Sequence, residues 1–134
     1  MRVGEEVQEV PRGAPELSDL TVAVAADRSE VPLGTSLRIT VTVTNASSAP
    51  RTLQFASACR TDFELVDSLG TVVATADRMC AQMITEATLA PEASFAEEHV
   101  WVRDDSAPGK YALHGVLLTT EDRVRSAPIV ITVG

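Results

Sequence analysis

Between residues 37 and 45 the chain alternates without a break. Leu37, Ile39, Val41 and Val43 are apolar, and Arg38, Thr40, Thr42 and Thr44 are polar. Successive side chains of an extended strand point to opposite faces, and threonine suits the wet one, so the pattern predicts a half-buried strand. LTVAVA (20–25) repeats it with Leu20, Val22 and Val24 on one face, and RTLQFA (51–56) turns Leu53 and Phe55 inward. Pro32 and Gly34 punctuate the first connection, and NASSAP (45–50) marks the second.

DFELVD (62–67), SLG (68–70) and TVVATA (71–76) predict a hairpin, with Gly70 free to take positive φ at the end of its loop. LAPEAS (89–94) reads as a turn. FAEEHVWV (95–102) reads as a strand of irregular alternation, since Phe95, His99 and Trp101 lie on one parity and Val100 and Val102 on the other. A bulge, or burial of both faces, would account for it. DDSAPG (104–109) is a turn, and YALHGVLLTT (111–120) and APIVITV (127–133) complete the set. About eight short strands with turn signals between them and no helical period predict an all-β fold. An immunoglobulin-like antiparallel Greek-key β-sandwich fits best. Tyr111, following the Pro108-Gly109 turn, sits where a tyrosine corner ties its hydroxyl to upstream backbone; otherwise it is a strand aromatic. Trp101 is expected in the core.

Residues 1–18 are polar, with Pro11, Gly13 and Pro15 among acidic positions, and predict a flexible tail ahead of one domain over 19–134. A chain of 134 residues can bury a core without staples. No apolar run approaches the ~20 residues of a spanning helix, so membrane insertion is not expected. MRVGEEVQEV carries no apolar h-region, so no signal peptide is expected in the chain as given. The net charge of −8 and a single lysine, Lys110, oppose nucleic-acid binding. A monomer is expected.

Four segments in order, LGTSLRITVTVTNASSAPRTLQF, DFELVDSLGTVV, LAPEASFAEEHVW and PGKYALHGVL, resemble the BsuPI domain of bacterial intracellular proteinase inhibitors over roughly residues 33–118. The resemblance implies an immunoglobulin-like sandwich and a role in protease inhibition, and the family name implies a cytoplasmic location. No inhibitory residues carry over by motif. Two departures stand out. The family's Pro-Gly-Glu is here Pro91-Glu92-Ala93, and the aromatics common after the hairpin give way to ADRMCAQMITE (76–86).

That stretch holds Met79, Cys80 and Met83. Cys59 and Cys80 are 21 positions apart. If the hairpin turns at 68–70, Asp67 faces Thr71. Carried down the ladder, that phase sets Cys59 opposite residue 79, one step from Cys80 and within disulfide reach. A bridge closing about 20 residues would contribute ~3 kcal/mol in the chain-entropy model. It would favour an exported or envelope location, and two separate thiols would suit a reducing cytosol. Met79 and Met83 either fill gaps under the sandwich or, with Arg78 and Gln82, form a partner-binding loop that the bridge holds extended. Cys80, Met79 and Met83 with His99 or His114 would be a soft Cu(I) donor set, but nothing fixes either histidine nearby, and no metal or cofactor is expected.

Catalysis has little support. Ser94, Glu97 and His99 share one strand, Ser94 and His99 point to opposite faces, and no HExxH, CxxC or phosphate-cradling loop occurs. Asp104-Asp105 could touch calcium but more simply form a solvated turn. Asn45-Ala46-Ser47 fits a glycosylation sequon, which has no force outside a eukaryotic secretory context. Two functions remain. One is a BsuPI-type proteinase inhibitor that binds a protein, such as a serine protease, through its loops. The other is a non-catalytic accessory or adhesion module of the bacterial envelope, with the N-terminal residues as tether.

Overall fold

The computed structural model describes residues 20–76, 78–103, 106–121 and 123–134. The expected tail (1–18) and the Asp104-Asp105 pair lie outside the described residues. Eleven strands occur among them: β1 (Leu20–Ala26), β2 (Glu30–Val31), β3 (Ser36–Asn45), β4 (Arg51–Phe55), β5 (Thr61–Val66), β6 (Val72–Thr75), β7 (Thr85–Leu89), β8 (Ser94–Val102), β9 (Gly109–Leu118), β10 (Arg123–Arg125) and β11 (Ile129–Val133). The strand pattern recovers eight of these. It misses β2 and β10, which are too short for a periodic signal, and β7, which follows the irregular methionine stretch.

One sheet runs β2-β11-β9-β5-β6, with β10 pairing β9 beyond β11; the other runs β1-β3-β8. All these pairs are antiparallel except β2 with β11. The sheets face each other as an immunoglobulin-like sandwich. Leu37, Ile39 and Val41 of β3 pack against Phe63 and Leu65 of β5, Leu113 of β9 and Ile131 of β11, all buried. Fully burying each such side chain contributes ~1.5–3 kcal/mol. The layers approach so closely at Gly115 that a Cβ there would stand 3.0 Å from Val41 Cγ1, so an extra methyl would have to push the sheets apart. Tyr111 makes the corner bond, its hydroxyl donating to the Ala107 carbonyl at 2.6 Å.

The alternation of β8 is regular. Its ladder with β3 runs from Ser36↔Val102 to Thr44↔Ser94 without a shift. Phe95, Glu97, His99 and Trp101 face inward, and Val100 and Val102 stand 56% and 57% exposed. The expected bulge or two-sided burial is therefore absent: the two valines are simply on the wet face. Trp101 is half-buried against the main core rather than enclosed by it.

A third ladder, β4 with β7, extends the β3–β8 pair past a corner. It covers a second core of Leu20, Val43, Leu53, Phe55, Leu89 and Leu117. Asn45 makes the corner. It is fully buried, and its amide donates to the carbonyls of Ala49 (2.8 Å), Leu89 (3.0 Å) and Ala90 (3.3 Å). Its Oδ1 accepts the Ser47 amide and hydroxyl. The sequon asparagine is thus a structural clamp. Glu92, in the facing turn, holds a φ of 65°, the region that favours glycine, at the place where the family pattern has one.

Candidate functional site

Residues 78–84 join β6 to β7 and have no regular pairing of their own. What holds them begins in the hairpin. Near its turn the expected phase holds: the Asp67 amide donates to Thr71 O at 2.9 Å, Val66 faces Val72, and Gly70 has a φ of 85°. Between Leu65 and Val66 the register shifts, with Val73 as the extra residue, so that Leu65 faces Ala74 and Glu64 faces Thr75. That one-residue shift supplies the step missing from the sequence argument. Carried onward, the new phase sets Cys59 opposite Cys80 rather than residue 79. The two cysteines stand as a disulfide pair with Cα atoms 5.6 Å apart. The phase persists one residue further, where the Ala58 amide donates to Ala81 O at 2.9 Å.

A second anchor is polar. Arg78 is the one member of the predicted binding loop that turns back, donating from Nη2 to the Thr61 carbonyl and standing 3.8 Å from Glu97 Oε1. Glu97 Oε1 accepts both the Thr61 amide (3.1 Å) and the Thr61 hydroxyl. The hydroxyl proton being committed to that carboxylate, the 2.9 Å contact between Thr61 Oγ1 and His99 Nε2 has the imidazole N–H as donor. Burial, then the nearby Arg78 guanidinium, push the His99 pKa down, against the opposing pull of Glu97 and Asp62. The ring is therefore held neutral, 5.8 Å from the Phe63 ring. Asp62 closes the hairpin mouth by accepting the Ala76 amide at 2.9 Å.

Between the two anchors Met79 faces water, and beyond Cys80 so do Gln82, Met83 and Ile84. Met79 is fully exposed, Met83 is 54% and Ile84 69% exposed, and Gln82 is exposed. The methionines do not plug the sandwich, contrary to the packing expectation; the second core is filled by other residues, among them Leu53, Phe55 and Leu89. Nor do the soft donors gather. The Cys80 sulfur is in the bridge, His99 faces Thr61, and His114 Nδ1 lies 2.9 Å from Ser126 O. Among the described residues no three His, Cys, Asp or Glu side chains group together. Ser94 is exposed on the opposite face of β8 from His99. The recess under the loop, lined by Cys59, Thr61, Asp62, Thr75, Arg78 and Cys80, holds 200 Å³, below the usual range for small-molecule sites. The prominent feature is a protruding loop.

A family model described as intracellular proteinase inhibitor, BsuPI, matches residues 20–122. The chain belongs to the BsuPI family. The match spans β1 through β9 and contains the loop and both its anchors. No curated protein matches. Solved structures share the BsuPI domain's fold. The sporulation control protein Spo0M of Bacillus subtilis has a TM-score of 0.61 at 12% identity, over 86% of this chain and 49% of that one. A CARDB domain from Pyrococcus furiosus, solved with di-metal ions, has 0.51 at 15%, over 87% and 88%. An alkylpurine DNA glycosylase of Pseudomonas fluorescens, bound to DNA with an abasic-site analogue, has 0.51 at 15%, over 86% of this chain and only 30% of its own. At these identities the likeness is one of fold alone.

The Thr61–Glu97–Arg78 network escaped the sequence reading. One signal was present, the polar pair Glu97 and His99 at inward positions of β8, where an apolar pair would be expected.

Proposed function

We propose that this BsuPI domain inhibits a proteinase by presenting the loop at residues 78–84, with Met79, Gln82 and Met83 as contact residues and Arg78 as the internal tether. The observation that carries this reading is the full exposure of Met79 between two anchors, the Arg78 contacts and the Cys59–Cys80 pair. A loop restrained in this way loses little conformational entropy on binding, which is how rigid loops gain affinity. It also exposes apolar side chains that a solvated connection has no reason to carry.

The test is titration of the oxidised, full-length chain against a panel of serine proteases. Stoichiometric loss of activity supports the reading, and full activity of every enzyme at micromolar chain opposes it. The second reading, an accessory module of the envelope, draws on the cysteine pair, since disulfides persist in oxidising compartments. Thiol titration of the denatured protein as isolated from its own cells separates the two settings: no free thiols supports export, and two free thiols support the cytosol.

A further inference from the structure

Arg78 and Met79 are neighbours with opposite demands on a protease. An arginine suits a primary pocket with an acidic base, whereas a methionine suits an apolar slot, as the pockets of trypsin-type and chymotrypsin-type enzymes illustrate. Sequence alone leaves the choice open. In the structure the two side chains part company. The Arg78 guanidinium, partly exposed, is engaged with the sandwich, bonded to the Thr61 carbonyl and 3.8 Å from Glu97 Oε1. Delivering it to an enzyme would strip the Thr61 carbonyl of that donor and leave Glu97 facing only Thr61. Met79 gives up nothing, being fully exposed. The residue after it, Cys80, is joined to Cys59, so the peptide on each side of Met79 is held by a different device.

Resting on the inhibitor reading above, we propose that Met79 is the residue that enters the target's primary specificity pocket, and that this pocket is a deep apolar slot. The long unbranched thioether fits such a slot. It has no charge to offer an acidic pocket and is too long for the shallow pocket of an elastase-type enzyme. Met83 and Ile84, also exposed, extend the apolar contact beyond the pocket.

The test uses the oxidised full chain against three serine proteases that differ in primary pocket: apolar slot, acidic and shallow. The apolar-slot enzyme is expected to be inhibited most strongly. Met79→Ala should weaken that inhibition by ~30-fold or more, the scale of a central anchor, and Met79→Arg should transfer it to the acidic-pocket enzyme. Arg78→Gln should leave the ranking of the three enzymes unchanged. Because the Met79 side chain is fully exposed, the two Met79 variants should melt with the parent, and a melt of all three checks that the fold is intact. Prolonged exposure to excess enzyme gives an independent reading. The first cut should fall after Met79, add one water, and leave two pieces joined until the disulfide is reduced. Inhibition of the acidic-pocket enzyme that Arg78→Gln abolishes, or a first cut after Arg78, would overturn the assignment while leaving the inhibitor reading intact. So would inhibition of the apolar-slot enzyme untouched by Met79→Ala. No inhibition of any of the three would sink both.

Discussion

The β4–β7 ladder is closed at its two ends by different means. At the Arg51/Leu89 end stands Asn45, fully buried, whose side chain joins three carbonyls and the Ser47 turn by hydrogen bonds. At the Phe55/Thr85 end, four residues and roughly 14 Å along the strand, stand the Cys59–Cys80 pair and the Arg78–Thr61 contact. The amide clamp depends on exclusion of water: Asn45 itself is fully buried, although the turn residues beside it, Ala46, Ser48 and Ala49, are exposed. The covalent clamp needs no burial, so the chain beside it can leave Met79, Met83 and Ile84 in solvent. A sandwich can thus expose an apolar loop without loosening, provided that the restraint on the loop is one that water does not weaken.

The comparison can be broken first at the corner. Asn45→Ala removes five hydrogen-bonding contacts from a buried site and strands carbonyl groups there; a loss of ~3 kcal/mol is expected in urea unfolding. A loss below ~1 kcal/mol would mean that water replaces the amide and the corner is not dry. Replacing both cysteines by serine should cost slightly less, up to ~3 kcal/mol, and should leave the corner's amide protons as slow to exchange as before. An unchanged urea midpoint would show that Arg78 and the Ala58–Ala81 bond suffice at that end.

Acid should also separate the two ends. His99 is held neutral, with its folded pKa below the ordinary 6.5. The unfolded chain therefore binds a proton that the folded one refuses, and stability falls as pH drops through 6.5 toward the lowered folded value. Asn45 and Ser47 do not titrate, so the loop end should loosen first, seen as faster exchange of the Ala58 amide than of the Asn45 amide. His99→Gln, which keeps a donor toward Thr61, should remove the pH dependence in that window. A second loss should come lower. Burial pushes the Glu64 carboxyl up, but hydrogen bonds from Arg125 (2.9 Å) and Arg123 (2.8 Å) outweigh it and leave the pKa below 4.5. The stability it contributes is whole above 4.5 and fades as pH falls through that depressed value. The smallest change expected is a gain. Glu92→Gly relieves a positive φ facing the corner and should add up to ~1 kcal/mol, and a loss would show that the glutamate side chain has a partner of its own.

Period two made the sandwich legible: Leu37, Ile39, Val41 and Val43 face inward as the alternation requires. The loop was not legible in the same way, because periodicity reports which face a residue takes only while the chain stays in a sheet. Outside β6 nothing local distinguishes an Arg78 bonded to Thr61 from a Met79 left in solvent. The decisive partners, Thr61 and Glu97, are 17 and 19 positions away from Arg78 in sequence. The cysteine pairing was legible from the hairpin; only the ladder's phase was off, by the one residue that the bulge at Val73 inserts. Bulges depend on how an edge strand twists, and TVVATA gives no sign of one.

The buried Asn45 bears on how the protein can be made. Asn45-Ala46-Ser47 satisfies the acceptor sequence for N-linked sugar. In a eukaryotic secretory host the sugar is added to the unfolded chain as it emerges. A glycan on Nδ2 would take the atom that donates to Leu89 and Ala90, and no bulky group fits in a site without exposure. Such a host would accumulate misfolded, sugar-bearing chains, while a bacterial periplasm would supply the disulfide without the modification.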